Sequence, residues 1–556
     1  MQVLKAVWYN IANMPKDEII QSLKTALKEL GIEDFEPVLE RPKDASHGDF
    51  STNAAMIAFA KIKNQESRIK NPLELAEKIV LILNTKYKIS DTFDRVEAVA
   101  PGFINYYLSN KYLQNQIQNI IKQGDNYGSL TVGKGKKASV EFVSANPTGP
   151  LHIGNAVGGP LGDTIANVLT KSGYEVIREY LHNDVGGQVL KLGEAIYFEL
   201  NPSKKSANEE AQYQGAYIKE LAQEVQKILS SNLSREDFVE KAGKMAVEII
   251  LKEILKDCTD MGIRFDKVRK ESDLRQEVPE VLKKIDKFLV EKEGAKWFIP
   301  NDEFLKDRET VIKKSDGEFT YFASDIAYHN EKFEREDLVI DILGSNHSGH
   351  VPRLQAAAKA LGFDVNDFKV ILYQYVRLKR GSEIVKMSKR AGSFVTAREV
   401  LDEVGKDAFR FFLLRSAPET HMDFDLDLAK KQASENPVFY VQYAYTRICS
   451  IFAKAENNTF GSADVSLLTH AEEVALTRHL LKLPGLIEEV SYTFGVHAFT
   501  TYTMELATLF HKFYEAHRVI SEDKKLTQAR LALLEATRIT LKNTLDLLGV
   551  SAPEKM

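Results

Sequence analysis

The stretch from Ser139 to Asp163, SVEFVSANPTGPLHIGNAVGGPLGD, constrains the fold of this chain more than any other. A run of β-forming residues ends at Asn146-Pro147, a glycine and proline turn follows, and the apolar spacing beyond the turn predicts a helix. A strand, a glycine turn and a helix N-terminus together direct free backbone N–H groups towards an anion. We therefore predict a nucleotide-phosphate site at this turn, where His152 adds a side-chain donor. A histidine that only caps the turn is the simpler alternative for these residues taken alone.

A second segment, Lys386-Met387-Ser388-Lys389, lies far downstream in a loop bounded by glycines. A basic tetrapeptide is most often a solvated surface loop. Here it follows the phosphate turn, with α/β sequence between the two segments, so both can reach one nucleotide. A lysine is suited to follow a pyrophosphate as it leaves, since it carries a compact charge on a long, flexible stem.

Taken in this order, the two segments resemble the HIGH and KMSK motifs of class I aminoacyl-tRNA synthetases. The wider sequence from Glu141 to the C-terminus resembles the arginyl-tRNA synthetases. The resemblance implies an arginine–tRNA ligase that uses ATP to activate L-arginine as arginyl-adenylate and transfers it to the 3′ end of tRNA(Arg). It implies Mg²⁺ only as the counter-ion of ATP, with no protein-bound metal.

Residue roles in ATP chemistry follow from the same resemblance. The catalytic residues implied are His152, Asn155, Lys386 and Lys389. The ATP-binding residues implied are His152, Gly154, Asn155, Gly344, Asn346, Lys386, Met387, Ser388 and Lys389. Asn155 stands where the class pattern has His, and Asn346 stands where it has Asp. An amide can still donate and accept hydrogen bonds, but it carries no charge. The partner of Asn155 is therefore open, and a plain strand-to-helix turn is the alternative at Asn346.

A guanidinium group is bound best by planar carboxylates beside an aromatic wall. The residues that the resemblance assigns to arginine binding are Glu141, Ser144, Asn146, His152, Tyr321, Asp325 and His347. It implies that Asp325 and Glu141 face the guanidinium and that Tyr321 contacts it. Asn146 and His347 are then expected to hold the α-carboxylate or the amino group. Without the family, the four-residue spacing of Tyr321 and Asp325 indicates one face of a helix, most often an exposed face.

The length of 556 residues predicts two to four domains. We predict an α/β protein: a Rossmann-type parallel-sheet catalytic domain with a helical insertion, a small α/β N-terminal domain and an all-α C-terminal anticodon-binding bundle. The expected bounds are 1–110 for the N-terminal domain, 111–136 for a linker helix, 137–406 for the catalytic domain with its insertion at about 190–267, and 407–556 for the bundle. One parallel sheet is expected from five stretches: the strand of the first motif, YEVIREYL, TVIKKSDGEFTYFASD, LVIDILGSN and FKVILYQYVRL.

By the same resemblance, the N-terminal domain contacts the tRNA elbow and the C-terminal bundle reads anticodon bases. The tRNA-binding residues implied are Phe50, Asn53, Tyr440, Tyr443, Tyr514 and Met556. Aromatic side chains stack on bases, although most tyrosines at helical spacing are core residues and Phe50 follows an ordinary glycine turn. The string Asp407-Ala408-Phe409-Arg410 matches the D-A-L-R motif for which this helical domain is named, with Phe in place of Leu. Long helices without strand signals are expected from there to the end.

Asp184 and Gln188 follow the second expected strand of the sheet. Ligands bind at that end of parallel strands. Both residues are therefore candidates to face the substrate α-ammonium group or the tRNA 3′ end, while helix capping by Asp184 is an equal alternative.

The formal net charge of −5 argues against a protein that coats nucleic acid, so tRNA binding has to come from local basic faces. Cys258 and Cys449 lie far apart and form no zinc or disulfide pattern, which indicates a reducing cytoplasm. The sequence has no signal-peptide core and no stretch of about 18 apolar residues. We expect a cytoplasmic monomer without membrane contact.

Three other functions remain open. A class I ligase for lysine or glutamine shares both motifs, a small-molecule nucleotidyltransferase can share the phosphate turn, and a catalytically silent paralogue can still bind tRNA. The short separation of His152 from Lys386 leaves little room for the editing domain of the isoleucine, leucine and valine enzymes. The intact pair Lys386 and Lys389 argues against the silent paralogue.

Overall fold

Helices and a three-stranded antiparallel sheet form the N-terminal region of the computed structural model, which describes residues 15–42, 44–62, 69–86, 92–204, 212–230, 232–305, 308–385, 395–455 and 463–556. The elements are α1 (Pro15–Glu29), β1 (Phe50–Thr52), α2 (Ala54–Ile62), α3 (Pro72–Lys86), β2 (Phe93–Val99) and β3 (Phe103–Leu108), with strand order β1-β3-β2. Leu23 and Leu27 of α1 are fully buried, and Gly31 adopts a left-handed conformation after the helix. These elements share a hydrophobic core of their own.

Helix α4 (Asn110–Gln123) leads from this region to the rest of the chain. The Ser109 side chain caps it by accepting a hydrogen bond from the Tyr112 N–H. At its other end, the Asn543 side chain donates to the Gly124 carbonyl oxygen at 3.0 Å. The end of this helix is therefore bound to the last helix of the chain.

The central region is built on one parallel sheet. Its elements are β4 (Lys137–Glu141), α5 (Ile153–Ala156), α6 (Gly158–Lys171), β5 (Glu175–His182), α7 (Gly187–Leu200), α8 (Ala216–Ile228), α9 (Arg235–Asp260), β6 (Lys267–Lys270), α10 (Glu271–Lys284), β7 (Leu289–Lys292), β8 (Ala295–Phe298), β9 (Thr310–Lys313), α11 (Tyr321–Arg335), β10 (Leu338–Gly344), α12 (Val351–Leu361), β11 (Phe368–Tyr373), β12 (Val376–Arg380) and β13 (Glu383–Ile384). The sheet has strand order β11-β10-β4-β5-β6, and each neighbouring pair is parallel. The predicted five-stranded parallel sheet is confirmed.

One of the five predicted strands is wrong. The stretch TVIKKSDGEFTYFASD supplies β9, which belongs to a separate antiparallel sheet of order β7-β8-β9, and then the start of α11. The fifth parallel strand is β6, which reads Lys-Val-Arg-Lys. A strand this short and this charged has no apolar run, so hydrophobic patterning does not reveal it.

The helical insertion holds together through a close crossing of α7 and α9. A Cβ atom on Gly193 would lie 1.9 Å from the Val239 carbonyl oxygen, and one on Gly243 would lie 2.3 Å from the Val189 carbonyl oxygen. Only glycine fits at either position, because the two backbones are in direct contact there. The expected helical insertion is present, and the chain returns to the parallel sheet at β6.

The C-terminal region consists mainly of helices. Its elements are α13 (Ala397–Leu413), β14 (Met422–Asp425), α14 (Leu426–Lys430), α15 (Pro437–Lys454), α16 (Ala471–Leu480), α17 (Leu483–Thr493), α18 (His497–Ala516) and α19 (Lys524–Leu548). The expectation of helices alone beyond Asp407 is wrong at β14, which pairs in parallel with β12. Within α13, Gly405 leaves the helical conformation with a φ of 77°.

The string Asp407-Ala408-Phe409-Arg410 joins the C-terminal helices to the central region. The buried Arg410 guanidinium donates to Asp163 of α6, to the Leu548 carbonyl and to the Met261 carbonyl. Phe409 is fully buried, so an aromatic ring fits where the motif has leucine. One hydrophobic core accordingly runs from the parallel sheet into the C-terminal helices. No helix in the part of the chain described has the length and apolar character needed to cross a membrane.

Candidate active site

A row of carboxylates crosses the parallel sheet near the C-terminal ends of its strands. Glu141 of β4 lies in register with Asp341 of β10 on one side and with Glu179 of β5 on the other. All three side chains are buried. The strand order reverses between β4 and β10, and ligands of such sheets bind outside the strand ends at that reversal. The row therefore lies directly beneath the expected site.

Helix α11 covers this row and supplies positive charge to it. The Lys332 ammonium donates to Glu141 Oε2 at 2.8 Å and to Asp341 Oδ1 at 2.6 Å. Arg335 pairs with Glu179. Burial raises the pKa of Glu141 even though Lys332 lies beside it. Glu141 is thus a desolvated carboxyl whose ionisation depends on nearby cations.

The turn after β4 fixes the orientation of Glu141. Val143 and Ser144 both adopt left-handed backbone conformations, with φ of 67° and 34°. This places the Ser144 hydroxyl where it donates to Glu141 Oε1 at 2.9 Å and accepts from the Leu181 N–H at 3.1 Å. Further along the turn, Asn146 Oδ1 accepts a hydrogen bond from the Asn183 amide at 2.6 Å.

The His152 imidazole caps the short helix α5. Its Nδ1 atom accepts a hydrogen bond from the Gly154 N–H at 2.9 Å. A Cβ atom on Gly154 would lie 3.0 Å from that nitrogen, so glycine lets the ring approach the backbone. Because Nδ1 is the acceptor, the neutral ring carries its proton on Nε2. The capping role and a donor role at Nε2 are therefore compatible in one tautomer.

The segment that follows the lysine motif is hydrogen-bonded to the His152 turn. The Ala397 N–H donates to the Leu151 carbonyl oxygen at 2.7 Å, and the Ile153 N–H donates to the Val395 carbonyl oxygen at 3.3 Å. His152 itself pairs with Thr396 in an isolated antiparallel bridge. Lys386, Met387, Ser388 and Lys389 lie outside the described residues. The described residues that follow them, from Val395 to Ala397, contact the phosphate turn.

Gly344 and Asn346 lie at the end of β10, on the other side of this cleft. The Asn346 side chain folds over Gly344, where a Cβ atom would lie 2.6 Å from Asn346 Oδ1. Tyr373, at the end of β11, contacts Gly158 and donates a long hydrogen bond of 3.4 Å to the Asn155 carbonyl oxygen. The Asn155 side chain is exposed. Tyr373 therefore links the two predicted ATP segments.

A cluster of acids and histidines lies beside Tyr321 at the start of α11, where Tyr321 is 46% exposed and Asp325 is buried. Asp325 is 4% exposed and pairs with His350 Nε2 at 2.8 Å. The Asp325 carboxylate is the main cause that raises the pKa of Tyr321 well above its ordinary value, with contributions from burial, Glu141 and Glu271. Burial also raises the pKa of Glu271. Three carboxylates thus lie within electrostatic reach of one phenol.

His347 borders the same cluster. Burial lowers its pKa, and His350 lowers it further while Asp325 opposes both. The sequence interpretation placed Asp325, Tyr321 and His347 here, and the structure brings the three together. The sequence interpretation did not include five further residues of the candidate site: Glu271, Lys332, Asp341, His350 and Tyr373. The last three follow the ends of predicted parallel strands or lie on them, which is the one sequence signal that favours them.

Three family models match successive parts of the chain. They are described as the arginyl tRNA synthetase N terminal domain at residues 17–108, the catalytic domain of class I (R) tRNA synthetases at 116–419, and the DALR anticodon binding domain at 441–556. The arginine–tRNA ligase of Carboxydothermus hydrogenoformans is 41% identical over 97% of this chain and 98% of its own length. The chain belongs to the arginyl-tRNA synthetase family. Membership in this class I family implies ATP as a substrate, with arginine and tRNA as partners.

Other relatives agree with this assignment. The arginine–tRNA ligase of Staphylococcus aureus is 38% identical over 98% of this chain and all of its own. A solved structure from Campylobacter jejuni, described as a putative arginyl-tRNA synthetase, is 31% identical, has a TM-score of 0.74, and covers 81% of this chain and 100% of its own. The Thermus thermophilus arginyl-tRNA synthetase, at 21% identity and a TM-score of 0.78 over 98% of this chain and 100% of its own, shares the fold.

Asp184 has a structural partner. Its carboxylate accepts hydrogen bonds from the Ser272 N–H at 2.9 Å and the Ser272 hydroxyl at 2.6 Å, so it caps the start of α10. The capping alternative is therefore the one observed, on a helix distant in sequence. Gln188 is exposed at the start of α7.

The N-terminal tRNA candidates differ in accessibility. Phe50 is 4% exposed within the N-terminal core, and the Arg41 guanidinium lies 4.8 Å from its ring centroid. Phe50 cannot stack on a base in this conformation, because its faces are already covered. Asn53 is partly exposed beside it and keeps an accessible amide.

The C-terminal tyrosines gather around two other residues of the bundle. The His511 ring lies 4.8 Å from that of Tyr440 and 5.9 Å from that of Tyr443, between centroids. The Arg447 guanidinium lies 5.4 Å from the Tyr443 ring and 5.2 Å from the Tyr514 ring. Tyr443 is 38% exposed, and Met556 at the chain end is exposed as well. Tyr443 is thus the exposed member of this aromatic group, with a cation beside it, while Tyr440 and Tyr514 are partly buried against the core.

Proposed function

We propose that this chain is an arginine–tRNA ligase that forms arginyl-adenylate from L-arginine and ATP and transfers the arginyl group to the 3′ end of tRNA(Arg). The observation that carries the proposal is the acidic cluster beside Tyr321, in which Glu141 and Asp325 are both buried and Ser144, in the turn after β4, holds Glu141. A guanidinium matches such a pocket because planar carboxylates bind it with two parallel hydrogen bonds. A neutral side chain would leave without a donor those acceptor positions of Glu141 and Asp325 that Lys332, Ser144 and His350 do not use.

Within the pocket, Asp325 and Glu141 face the guanidinium and Tyr321 contacts it. Ser144 supports this arrangement because its hydroxyl already holds Glu141. Asn146 and His347 bind the α-carboxylate or the amino group. His152 lies where the amino acid meets ATP, so it contacts both substrates.

ATP binds between the His152 turn and the end of β10, held by Gly154, Asn155, Gly344 and Asn346. Negative charge spreads over the phosphoryl oxygens as the carboxylate attacks the α-phosphorus, so positioned donors supply most of the catalysis. Lys386 and Lys389 follow the departing pyrophosphate, with Met387 and Ser388 as part of the same binding loop. Lys389 precedes Val395 by six residues, which span about 20 Å at full extension. The bonded flank at Val395 therefore supports a lysine within reach of the triphosphate.

Mg²⁺ enters as the counter-ion of the ATP phosphates. In the described ranges, no group of three or more histidine, cysteine, aspartate or glutamate side chains has an arrangement that could hold a metal ion. Each step proposed for the protein rests on its own side chains and backbone.

The domain assignment is a further part of the proposal. Residues 1–110 contact the tRNA elbow through Asn53, 111–136 contain the linker helix, 137–406 activate arginine with the insertion at about 190–267, and 407–556 read the anticodon. Tyr440, Tyr443, Tyr514 and Met556 supply the anticodon contacts. The break of α13 at Gly405 supports the last boundary.

We also propose that the enzyme acts as a cytoplasmic monomer. Cys258 and Cys449 are both free thiols, which suits a reducing compartment. One chain supplies the pocket, the phosphate turn and the aromatic group. Light scattering at micromolar concentration is expected to give the mass of one chain.

Pyrophosphate exchange tests the function directly. We expect arginine to drive exchange of labelled pyrophosphate into ATP when tRNA(Arg) is present, and lysine and glutamine to give only the background rate. Exchange with lysine or glutamine but not with arginine would show that the pocket has been assigned to the wrong amino acid. Exchange with none of the three, alongside normal tRNA binding, would favour the silent paralogue.

A further inference from the structure

Lys332 is a fully buried charged group next to the proposed arginine pocket. Its side chain is 0% exposed. Besides the bonds to Glu141 and Asp341, the ammonium lies 4.3 Å from the Tyr328 ring centroid. Removing a lysine from water is costly, and an apolar core of the same volume is often as stable or more stable. Stability alone therefore gives little reason for the buried set of Lys332, Glu141 and Asp341 as a whole.

The bonds of Lys332 leave Glu141 able to bind a substrate. An ionised carboxylate has about four acceptor positions on its two oxygens. Lys332 occupies one at Oε2 and Ser144 occupies one at Oε1. The remaining positions suit the two parallel N–H donors of a guanidinium. Lys332 and Ser144 together fix the plane of the carboxylate, since each holds a different oxygen.

Asp341 offsets the charge of Lys332. Although burial alone would raise its pKa, the Lys332 ammonium and His329 lower the pKa of Asp341. His329 is bonded on its other ring nitrogen to the Asp325 carbonyl oxygen, at 2.8 Å. The same cluster thus reaches from Glu141 to the backbone of Asp325.

We propose that Lys332 is a positioning residue for arginine activation: it keeps Glu141 ionised and oriented so that Glu141 can bind the substrate guanidinium. This inference rests on the proposed arginine–tRNA ligase function. Lys332 does not contact the substrate, because it is enclosed behind Glu141. The sequence contains no signal for this role, since the lysine is separated from Glu141 by most of the catalytic region.

Other ionisable groups around Glu141 set the pH range of the effect. These groups are Asp341 on β10, Glu179 on β5, and Tyr321, Asp325, Tyr328, His329 and Arg335 on α11. Most of the acids already have a partner: Glu179 accepts from the Tyr328 hydroxyl at 2.7 Å and pairs with Arg335. Lys332 is the cation bonded to Glu141.

Lys332→Met tests the inference in the full-length enzyme with tRNA(Arg) present. Without the ammonium, burial leaves Glu141 protonated over more of the neutral range. We expect the KM for arginine to rise roughly 10- to 100-fold at pH 7, as for loss of a hydrogen bond to a charged group. The rise should shrink as the pH is increased, because Glu141 then ionises. The kcat at saturating arginine and the KM for ATP should stay within about threefold.

A double-mutant cycle separates a role through Glu141 from a general structural effect. Glu141→Gln should raise the arginine KM without the recovery at high pH, and adding Lys332→Met to it should change that KM little further. Arg335→Met is the matched control, because it removes a cation from the same helix that pairs with Glu179 instead. If Lys332→Met fails to fold, Lys332→Met/Asp341→Asn removes one charge of each sign and should give the same pH-dependent rise.

The outcomes distinguish this inference from the proposed function. An arginine KM within twofold of wild type in a folded Lys332→Met enzyme would overturn it. So would an equal further rise in KM on the Glu141→Gln background, since Lys332 would then act independently of Glu141. A wild-type chain that does not activate arginine would instead contradict the proposed function itself.

Discussion

Arg410 and Asp163 form a buried ion pair, with Arg410 Nη2 at 2.7 Å from Asp163 Oδ2. Asp163 lies on the helix that follows the phosphate turn, and Arg410 lies in the helix that begins just after the lysine motif. The same guanidinium also donates to two backbone carbonyl groups. The D-A-L-R-type string thus joins the catalytic sheet to the anticodon-type bundle.

Breaking this pair should destabilise the shared core. We expect Arg410→Met to lower the free energy of unfolding by about 3–5 kcal/mol, because it removes the closest cation from Asp163 Oδ2 and the donor from two buried carbonyl groups, while Arg178 stays bonded to Asp163 Oδ1. Urea unfolding followed by tryptophan fluorescence measures the change. Lys244→Met is the control, since its ion pair with Glu240 is on the surface and should contribute less than about 1 kcal/mol. Equal losses of unfolding free energy in Arg410→Met and Lys244→Met would show that Arg410 does not stabilise the shared core.

Asp325→Asn should weaken arginine binding selectively. The loss of one charged partner of the guanidinium is expected to raise the arginine KM roughly 10- to 100-fold and to leave the KM for ATP unchanged. Steady-state pyrophosphate exchange gives both constants. Glu334→Gln is the matched control, because Glu334 lies on the same helix but pairs with Lys284 at the surface. An unchanged arginine KM in Asp325→Asn would place the pocket elsewhere.

Lys389→Ala should slow adenylate formation on the order of 10²- to 10³-fold, as for loss of one transition-state donor. The reason is the charge that accumulates on the pyrophosphate as it leaves. Single-turnover measurements with arginine, ATP and tRNA report this step. Lys431→Ala, at an exposed lysine outside the cleft, is the control. A near-normal rate in Lys389→Ala would remove this lysine from the mechanism.

His479 predicts a loss of stability in acid. Burial lowers its pKa from 6.5 to about 4, and its side chain is only 3% exposed against Tyr502. The unfolded chain therefore binds a proton between these values while the folded chain does not. Above pH 6.5 the neutral His479 therefore contributes about 3 kcal/mol to the free energy of unfolding. This contribution is lost as the pH falls towards 4. Unfolding free energies of His479→Gln measured across this range should fall less steeply than those of wild type.

Tyr443→Ala should weaken tRNA binding. Base–aromatic stacking contributes about 1–3 kcal/mol per base, so we expect the KM for tRNA(Arg) to rise between 5- and 150-fold. Aminoacylation at varied tRNA concentration measures this constant. Tyr492→Ala provides the comparison, because Tyr492 is 61% exposed on a different helix and far from the Arg447 cluster in sequence. An identical KM in the two variants would argue against an anticodon site at Tyr443.

Local patterns in the sequence predict most of the secondary structure and the position of the site. The strand, turn and helix around His152 are readable because β-formers, glycines and apolar spacing each act over a few residues. The same holds for β10 and β11, which contain the apolar runs Leu338–Ile340 and Val370–Leu372. The family resemblance supplies the proposed chemistry, and the structure brings Tyr321, Asp325 and His347 into one cluster.

Tertiary structure alone decides the partners of the charged side chains. Asp184 caps a helix that begins at Glu271, Lys332 reaches back to Glu141, and Phe50 is covered instead of open to a base. The strand β6 joins the edge of the sheet with three charged residues of four because its pairing with β5, and not its own apolar content, holds it there. Periodicity records which face of an element is apolar, whereas pairing between distant residues depends on how the elements pack.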